Sequence, residues 1–161
     1  MLSVLIWAVS AFAFSIEDGV FVCVQSEDTV EKRKNVALEK TASESNFLIR
    51  SKVRDYLKGK PDMCRTYSVE NHSKGFRITC DDKPTIDLRT DGTPTEYPSP
   101  KGKFSRTAKV TSGQVVQNFD FGKGGFRVTY IQTEKGFDVI KTISSSYLGA
   151  PLKVRASYIK K

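Results

Sequence analysis

From Cys64 onward the chain alternates apolar and polar residues with a period of two, in short runs cut by turn signals about every 8–12 residues. Alternation of this kind puts successive side chains on opposite faces of a strand, so it constrains this region to an antiparallel meander. The turns fall at Asn71–Gly75, Asp81–Pro84, Asp91–Pro94, Tyr97–Gly102, Ser112–Gly113, Gly122–Gly125, Glu134–Gly136 and Leu148–Pro151. Between them, Phe104/Arg106/Ala108/Val110, Val115/Gln117/Phe119/Phe121, Phe126/Val128/Tyr130 and Leu152/Val154/Ala156/Tyr158 each share one face. The opposite faces carry Lys103, Lys109, Arg127, Lys153 and Arg155 among Ser and Thr. The expectation is a sheet that is aromatic and aliphatic inside and basic outside.

The region before Cys64 has a different texture. Val20 to Val24 reads as an isolated strand. A helical stretch begins at Asp28, with Glu31 three residues on in a weak capping box. Val30, Ala37, Leu38, Ala42, Ile49, Val53, Tyr56 and Leu57 recur near the helical period, with lysines and arginines mostly between them. Polar Thr41 to Asn46 divides the stretch into two helices, and Gly59 and Pro61 end the second.

Met1 to Ile16 contains no charged side chain, and Ala11-Phe12-Ala13 supplies the small-x-small pattern of a signal-peptidase site. Cleavage after Ala13 or Ser15 gives a secreted or periplasmic protein; an uncut membrane anchor is the alternative. A bilayer span needs about 20 apolar residues, and Glu17-Asp18-Gly19 interrupts the run first. Residues 14–161 then form one α+β domain, mainly helical over 14–60 and a β-meander over 61–161. Residues 1–100 carry 14 basic and 15 acidic side chains, against 12 and 3 over residues 101–161. The basic character therefore belongs to the last third, and such asymmetry suits an anionic partner or simply a solvated surface.

Three cysteines in an exported chain invite one disulfide. A hairpin centred on His72 sets Cys64 opposite Cys80, with Thr66 facing Ile78 and Ser68 facing Phe76; a one-residue slip leaves two reduced thiols instead. Cys23, between Val22 and Val24, reads as a core residue. His72 is the only histidine and sits in a turn, which argues against Ser-His-Asp or Cys-His catalysis and against zinc. Asp81, Asp82, Asp87 and Asp91 match no EF-hand spacing and read as solvated turn carboxylates. No catalytic residue, metal site or cofactor is expected. Gly122–Gly125 reads as a hairpin turn, since a strand and not a helix follows it. Asn71-His72-Ser73 fits an N-glycosylation sequon in an exposed turn.

Over residues 85–160 the succession Asp91-Gly92, Lys103 to Thr111, Gln114 to Phe121, Gly122 to Gly125, Phe126 to Gln132, Lys135-Gly136, Phe137 to Ile143, Pro151-Leu152 and Lys153 to Ile159 resembles a broad group of small secreted bacterial proteins of uncharacterised activity. Their look is lipocalin-like, which implies a curved antiparallel sheet and carries over no functional residue. The fold expected is a helical segment packed on a curved β-meander of about seven to eight strands, a partial barrel. Such a sheet encloses a ligand space when its interior is not solid. The leading functional reading is a non-catalytic binding module for a small apolar or amphipathic molecule lined by Phe104, Phe119, Phe121, Phe126, Val128, Tyr130 and Tyr158. The alternative is an interaction protein whose face of Lys103, Lys109, Arg127, Lys153 and Arg155 meets an anionic envelope polymer or lipid headgroups. Nucleic acid is disfavoured as a partner, and a carboxylate-based hydrolase is the least favoured reading.

Overall fold

In a computed structural model, residues 14–99, 102–111, 113–120 and 124–161 are described, without the side chains of 97–99, 102–104 and 120. The leader expected over residues 1–13 lies outside them. Ten strands form one sheet: β1 (Gly19–Cys23), β2 (Thr66–His72), β3 (Gly75–Cys80), β4 (Ile86–Arg89), β5 (Thr95–Ser99), β6 (Gly102–Thr111), β7 (Gln114–Asp120), β8 (Gly124–Thr133), β9 (Gly136–Ser145) and β10 (Leu152–Lys160). Their order across the sheet is β4-β3-β2-β1-β10-β9-β8-β7-β6-β5, and every neighbouring pair is antiparallel. The two edge strands, β4 and β5, are consecutive in the chain, which is the order of a sheet rolled toward closure.

Contacts across the seam complete the roll. The Arg106 guanidinium on β6 donates to the Asp87 carbonyl of β4 at 2.9 Å, Gly92 N–H donates to Ala108 O at 3.1 Å, and Asp91 forms an isolated bridge with Lys109. The result is an α+β fold, a nearly closed antiparallel barrel with two helices between its first two strands.

The sequence expectation needs four corrections. The strands number ten, since Thr95–Ser99, placed among turns, forms β5 against β6. The Val20–Val24 strand is not isolated: β1 lies mid-sheet, Phe21 opposite Tyr67 on one side and Lys160 on the other. Its partners lie far off in sequence, so no local pattern shows them. The helix begins at Glu27, not Asp28, because the Ser26 side chain accepts from Thr29 N–H at 3.3 Å and caps it.

The fourth correction concerns the β2–β3 hairpin. It turns tightly between His72 and Gly75, which pair, so Tyr67 and not Cys64 lies opposite Cys80. Only glycine fits there: Gly75 has φ +153, and a Cβ would sit 1.9 Å from Leu88 O. Cys64, before β2, still forms a disulfide with Cys80. Asp81 folds it back, its carboxylate accepting from Arg65 N–H at 3.0 Å and from Thr66 N–H at 2.8 Å.

The helices are α1 (Glu27–Glu44) and α2 (Arg50–Leu57), joined through a 3-10 turn at Phe47–Ile49. Leu38 and Ala42 of α1 pack with Val53 and Leu57 of α2 on Leu152 of β10. Ser45 at the end of α1 accepts from Gly149 N–H at 3.1 Å, anchoring the helices to the β9–β10 turn. Among the described residues no helix is long and apolar enough to cross a membrane.

Candidate functional site

Because side chains alternate and the registers are known, the barrel interior resolves into rows running across the strands. Ala156, Val139, Tyr130 and Val115 form one row; Val154, Lys141, Val128, Gln117 and Ala108 the next; Leu152, Ile143, Phe126, Phe119 and Arg106 the third. Beyond the first row, toward the start of β9, the barrel is filled. Phe137 there has ring centroids 4.9 Å from Phe21 and 5.5 Å from Tyr158, and Tyr67 lies 4.8 Å from Tyr158.

Toward the end of β9 the interior is hollow. A cavity of about 1240 Å³ is lined by Phe119, Phe126, Val128, Tyr130 and Ile143 of the barrel wall, with Tyr67 and Ile78 opposite. Val53 and Tyr56 of α2, Pro84 and Ile86 after β3, and Tyr147 and Leu148 after β9 form its mouth. Its polar lining includes Lys52, Lys60, Lys83, Asp62, Gln117 and Lys141. Lys83 is ion-paired with Asp62, and Lys60 lies over the Tyr56 ring.

Two of these polar groups are deep inside. Lys141 is only 8% exposed; its Nζ donates to the Asp62 backbone carbonyl and lies 3.8 Å from Cys64 Sγ. Burial pulls its pKa down to about 8, with Lys83 lowering it further and Asp62 and Asp81 opposing. Gln117 is 1% exposed, and its Nε2 has no hydrogen-bond partner among the described residues, while its Oε1 accepts from Tyr130 OH at 3.4 Å. Burial pushes the Tyr130 phenol well above its ordinary value. Arg106 completes the third row, donating to Thr95 Oγ1 at 3.1 Å as well as across the seam.

Of the residues expected to line a pocket, Phe119, Phe126, Val128 and Tyr130 do so. Tyr158 does not: it lies in the filled end, and its hydroxyl donates to Cys64 O at 2.8 Å. Phe121 lies outside the described residues, as does the side chain of Phe104. On the outer face Lys109, Arg127 and Lys153 are exposed, but Arg127 donates to Asn118 at 2.8 Å and Arg155 is paired with Asp138. The Lys103 side chain is not among those described. His72 pairs with Asp87 at 2.9 Å and does not line the cavity. Among the described residues one acid and thiol cluster has metal-ligand spacing, Cys64, Cys80 and Asp81. Its sulfurs are joined to each other and its carboxylate is committed to Arg65 and Thr66.

Sequence reasoning missed Lys141, Gln117 and the α2 wall. Gln117 did stand on the inner face of its run, and a polar residue at an inward strand position is the signal that marks it. Lys141 follows the apolar pair Val139-Ile140, which blurs the alternation.

No protein family matches the chain, and no curated protein matches it in sequence. Among solved structures it is similar to apo lipid binding protein 8 of Caenorhabditis elegans, at 13% identity and a TM-score of 0.48, over 89% of this chain and 94% of that one. It is also similar to fatty-acid-binding protein 1 of Echinococcus granulosus, at 13% identity and a TM-score of 0.44, over 88% and 95%. Secretory abundant heat soluble protein 4 of Ramazzottius varieornatus gives 14% identity and a TM-score of 0.46, over 89% and 93%.

Proposed function

We propose that this protein is an exported, non-catalytic binding module that holds a small apolar or amphipathic molecule in the hollow end of its barrel. The observation that carries the reading is the cavity of about 1240 Å³, walled mostly by aromatic and aliphatic side chains. That is the apolar, concave environment small ligands need, at a volume above the roughly 300–1,000 Å³ of common pockets. It suits a long-chain molecule. Lys141 and Gln117 Nε2, which has no partner among the described residues, offer donors to an acceptor group on such a ligand, with Lys52 and Lys60 at the mouth. The charge-free leader and the disulfide support export. The alternative partner, an anionic polymer or lipid headgroup on the outer face, has less support, since Arg127 and Arg155 are engaged by Asn118 and Asp138.

The test fills the cavity. Ile143 is half-buried on its wall beside the cluster of Leu38, Ala42, Val53, Leu57 and Leu152, and Ile143→Trp places a large ring in the space. Native mass spectrometry and displacement of anilinonaphthalene sulfonate by a long-chain alcohol then report binding. The wild type is expected to bind and the variant to lose at least about tenfold in affinity. Equal binding by both, with equal thermal stability, places the ligand elsewhere.

A further inference from the structure

We infer that the hollow end is also a carbonyl-trapping site, in which the Lys141 amine condenses with the aldehyde group of an apolar ligand to form an imine. This rests on the reading of the cavity as a ligand site and names a ligand class for it. Lys141 stands in the middle inward row, between Val154 and Val128, with its side chain on the cavity wall. It is the one lysine among the described residues that is buried.

Its nitrogen is held but not neutralised. The Asp62 backbone carbonyl accepts one N–H, and no carboxylate oxygen lies within ion-pairing distance of Nζ among the described residues. The carboxylate of Asp62 is taken by Lys83, and that of Asp81 by the amides of Arg65 and Thr66. An ammonium in that setting is poorly stabilised, so the neutral amine is populated near physiological pH. The Asp62 carbonyl and, at 3.8 Å, Cys64 Sγ lie on the N–H side of Nζ, and no donor among the described residues occupies the lone pair of the neutral amine. A lysine desolvated in an apolar pocket is the form that attacks carbonyl carbon. The apolar wall of Val128, Phe126 and Ile143 beside it holds the alkyl chain and limits the water that reverses the reaction.

The step balances without a co-reactant. The nitrogen lone pair forms a C–N bond as the carbonyl π pair moves to oxygen, and a proton passes from nitrogen to that oxygen to give a carbinolamine. The C–O bond then breaks, its oxygen leaves as water with the second amine proton, and a C=N bond remains. One water is released; nothing is oxidised or reduced.

The experiment uses the full chain, decanal as the aldehyde and decanol as its unreactive isostere, near pH 8. Displacement of anilinonaphthalene sulfonate by decanol reports on the cavity. Cyanoborohydride then fixes any imine as a secondary amine, read by intact mass and peptide mapping. An ordinary lysine has a neutral fraction on the order of a hundredfold smaller at that pH, and part of the advantage is lost to weaker nucleophilicity, so about tenfold preference for Lys141 over any other lysine is expected. The adduct should be competed away by decanol, be absent from Lys141→Met and Lys141→Arg, and persist in Lys153→Met, a change on the exposed outer face away from the cavity. Decanol binding with adducts scattered over surface lysines, or undiminished in both Lys141 variants, overturns the imine and leaves the cavity reading standing. Failure of decanol to bind the wild type, together with scattered adducts, overturns both.

Discussion

The two ends of this barrel are built from the same strands and the same alternation, yet one is solid and the other hollow. On β9 Phe137 and Ile143 both point inward, six residues apart, or about 20 Å of strand. Around Phe137 the space is closed by rings from three other strands, Phe21, Tyr67 and Tyr158. Around Ile143 the inward neighbours are Leu152 and Phe126, and among the described residues the rings there, Phe119, Phe126, Tyr56 and Tyr147, line the cavity wall and mouth. The middle row between these ends is where polarity enters, with Lys141 and Gln117 two strands apart on either side of Val128. The difference teaches that period-two alternation decides which side chains face in, while filling depends on whether large residues from distant strands meet.

This contrast predicts unequal costs for the same kind of change. Phe137 is fully buried among rings, so Phe137→Ala should cost about 3–5 kcal/mol in denaturant unfolding. Phe126 is half-buried and already faces empty space, so Phe126→Ala should cost only about 1–2 kcal/mol. Equal losses at both sites would erase the distinction between the ends.

Thin packing near the cavity makes the disulfide the next largest contributor. Cys80 lines the cavity and Cys64 ties the chain before β2 to the end of β3, closing a loop of 16 residues. In the chain-entropy account that closure is worth about 3 kcal/mol. Cys64→Ser with Cys80→Ser, compared with the oxidised wild type in urea, should lower stability by that amount. If filling the cavity with Ile143→Trp recovers part of the loss, the bridge and the missing core do the same job.

The fold was largely legible in the sequence because antiparallel alternation is local. Each run from Lys103 to Ile159 states its inner face by itself, and the helical stretch broken at Thr41–Asn46 is visible in the same way. What was not legible depends on pairing between distant segments. Val20–Val24 has no local sign that it will lie between β2 and β10. Tyr158 alternates as a pocket residue would, and only its register against Phe137 places it in the solid end. Strand alternation alone sets Cys64 directly opposite Cys80, whereas the disulfide forms with Tyr67 in that position and with the chain before β2 folded back by the Asp81 carboxylate. Lys141 was illegible because an inward lysine looks the same in sequence as an outward one.

Lys141 also gives the hollow end a pH dependence on the alkaline side of neutrality. Its pKa falls from the ordinary 10.5 in the unfolded chain to about 8 in the fold, chiefly through desolvation. The unfolded chain therefore binds this proton more tightly, and between those two values it carries more protons than the native state. Stability tied to this group rises with pH across that window; it is fully present above the unfolded value and is lost as pH falls through about 8. Below that, the native protein bears the cost of a buried ammonium. The informative quantity is the difference between wild type and Lys141→Met. Measured by urea unfolding, wild type should gain about 2 kcal/mol relative to the variant between pH 8 and pH 10. The solid end serves as the control: Phe137→Ala should track wild type across the same range, because it removes no titrating group. A flat difference between wild type and Lys141→Met would mean that water reaches Nζ freely and that the cavity is wet around it.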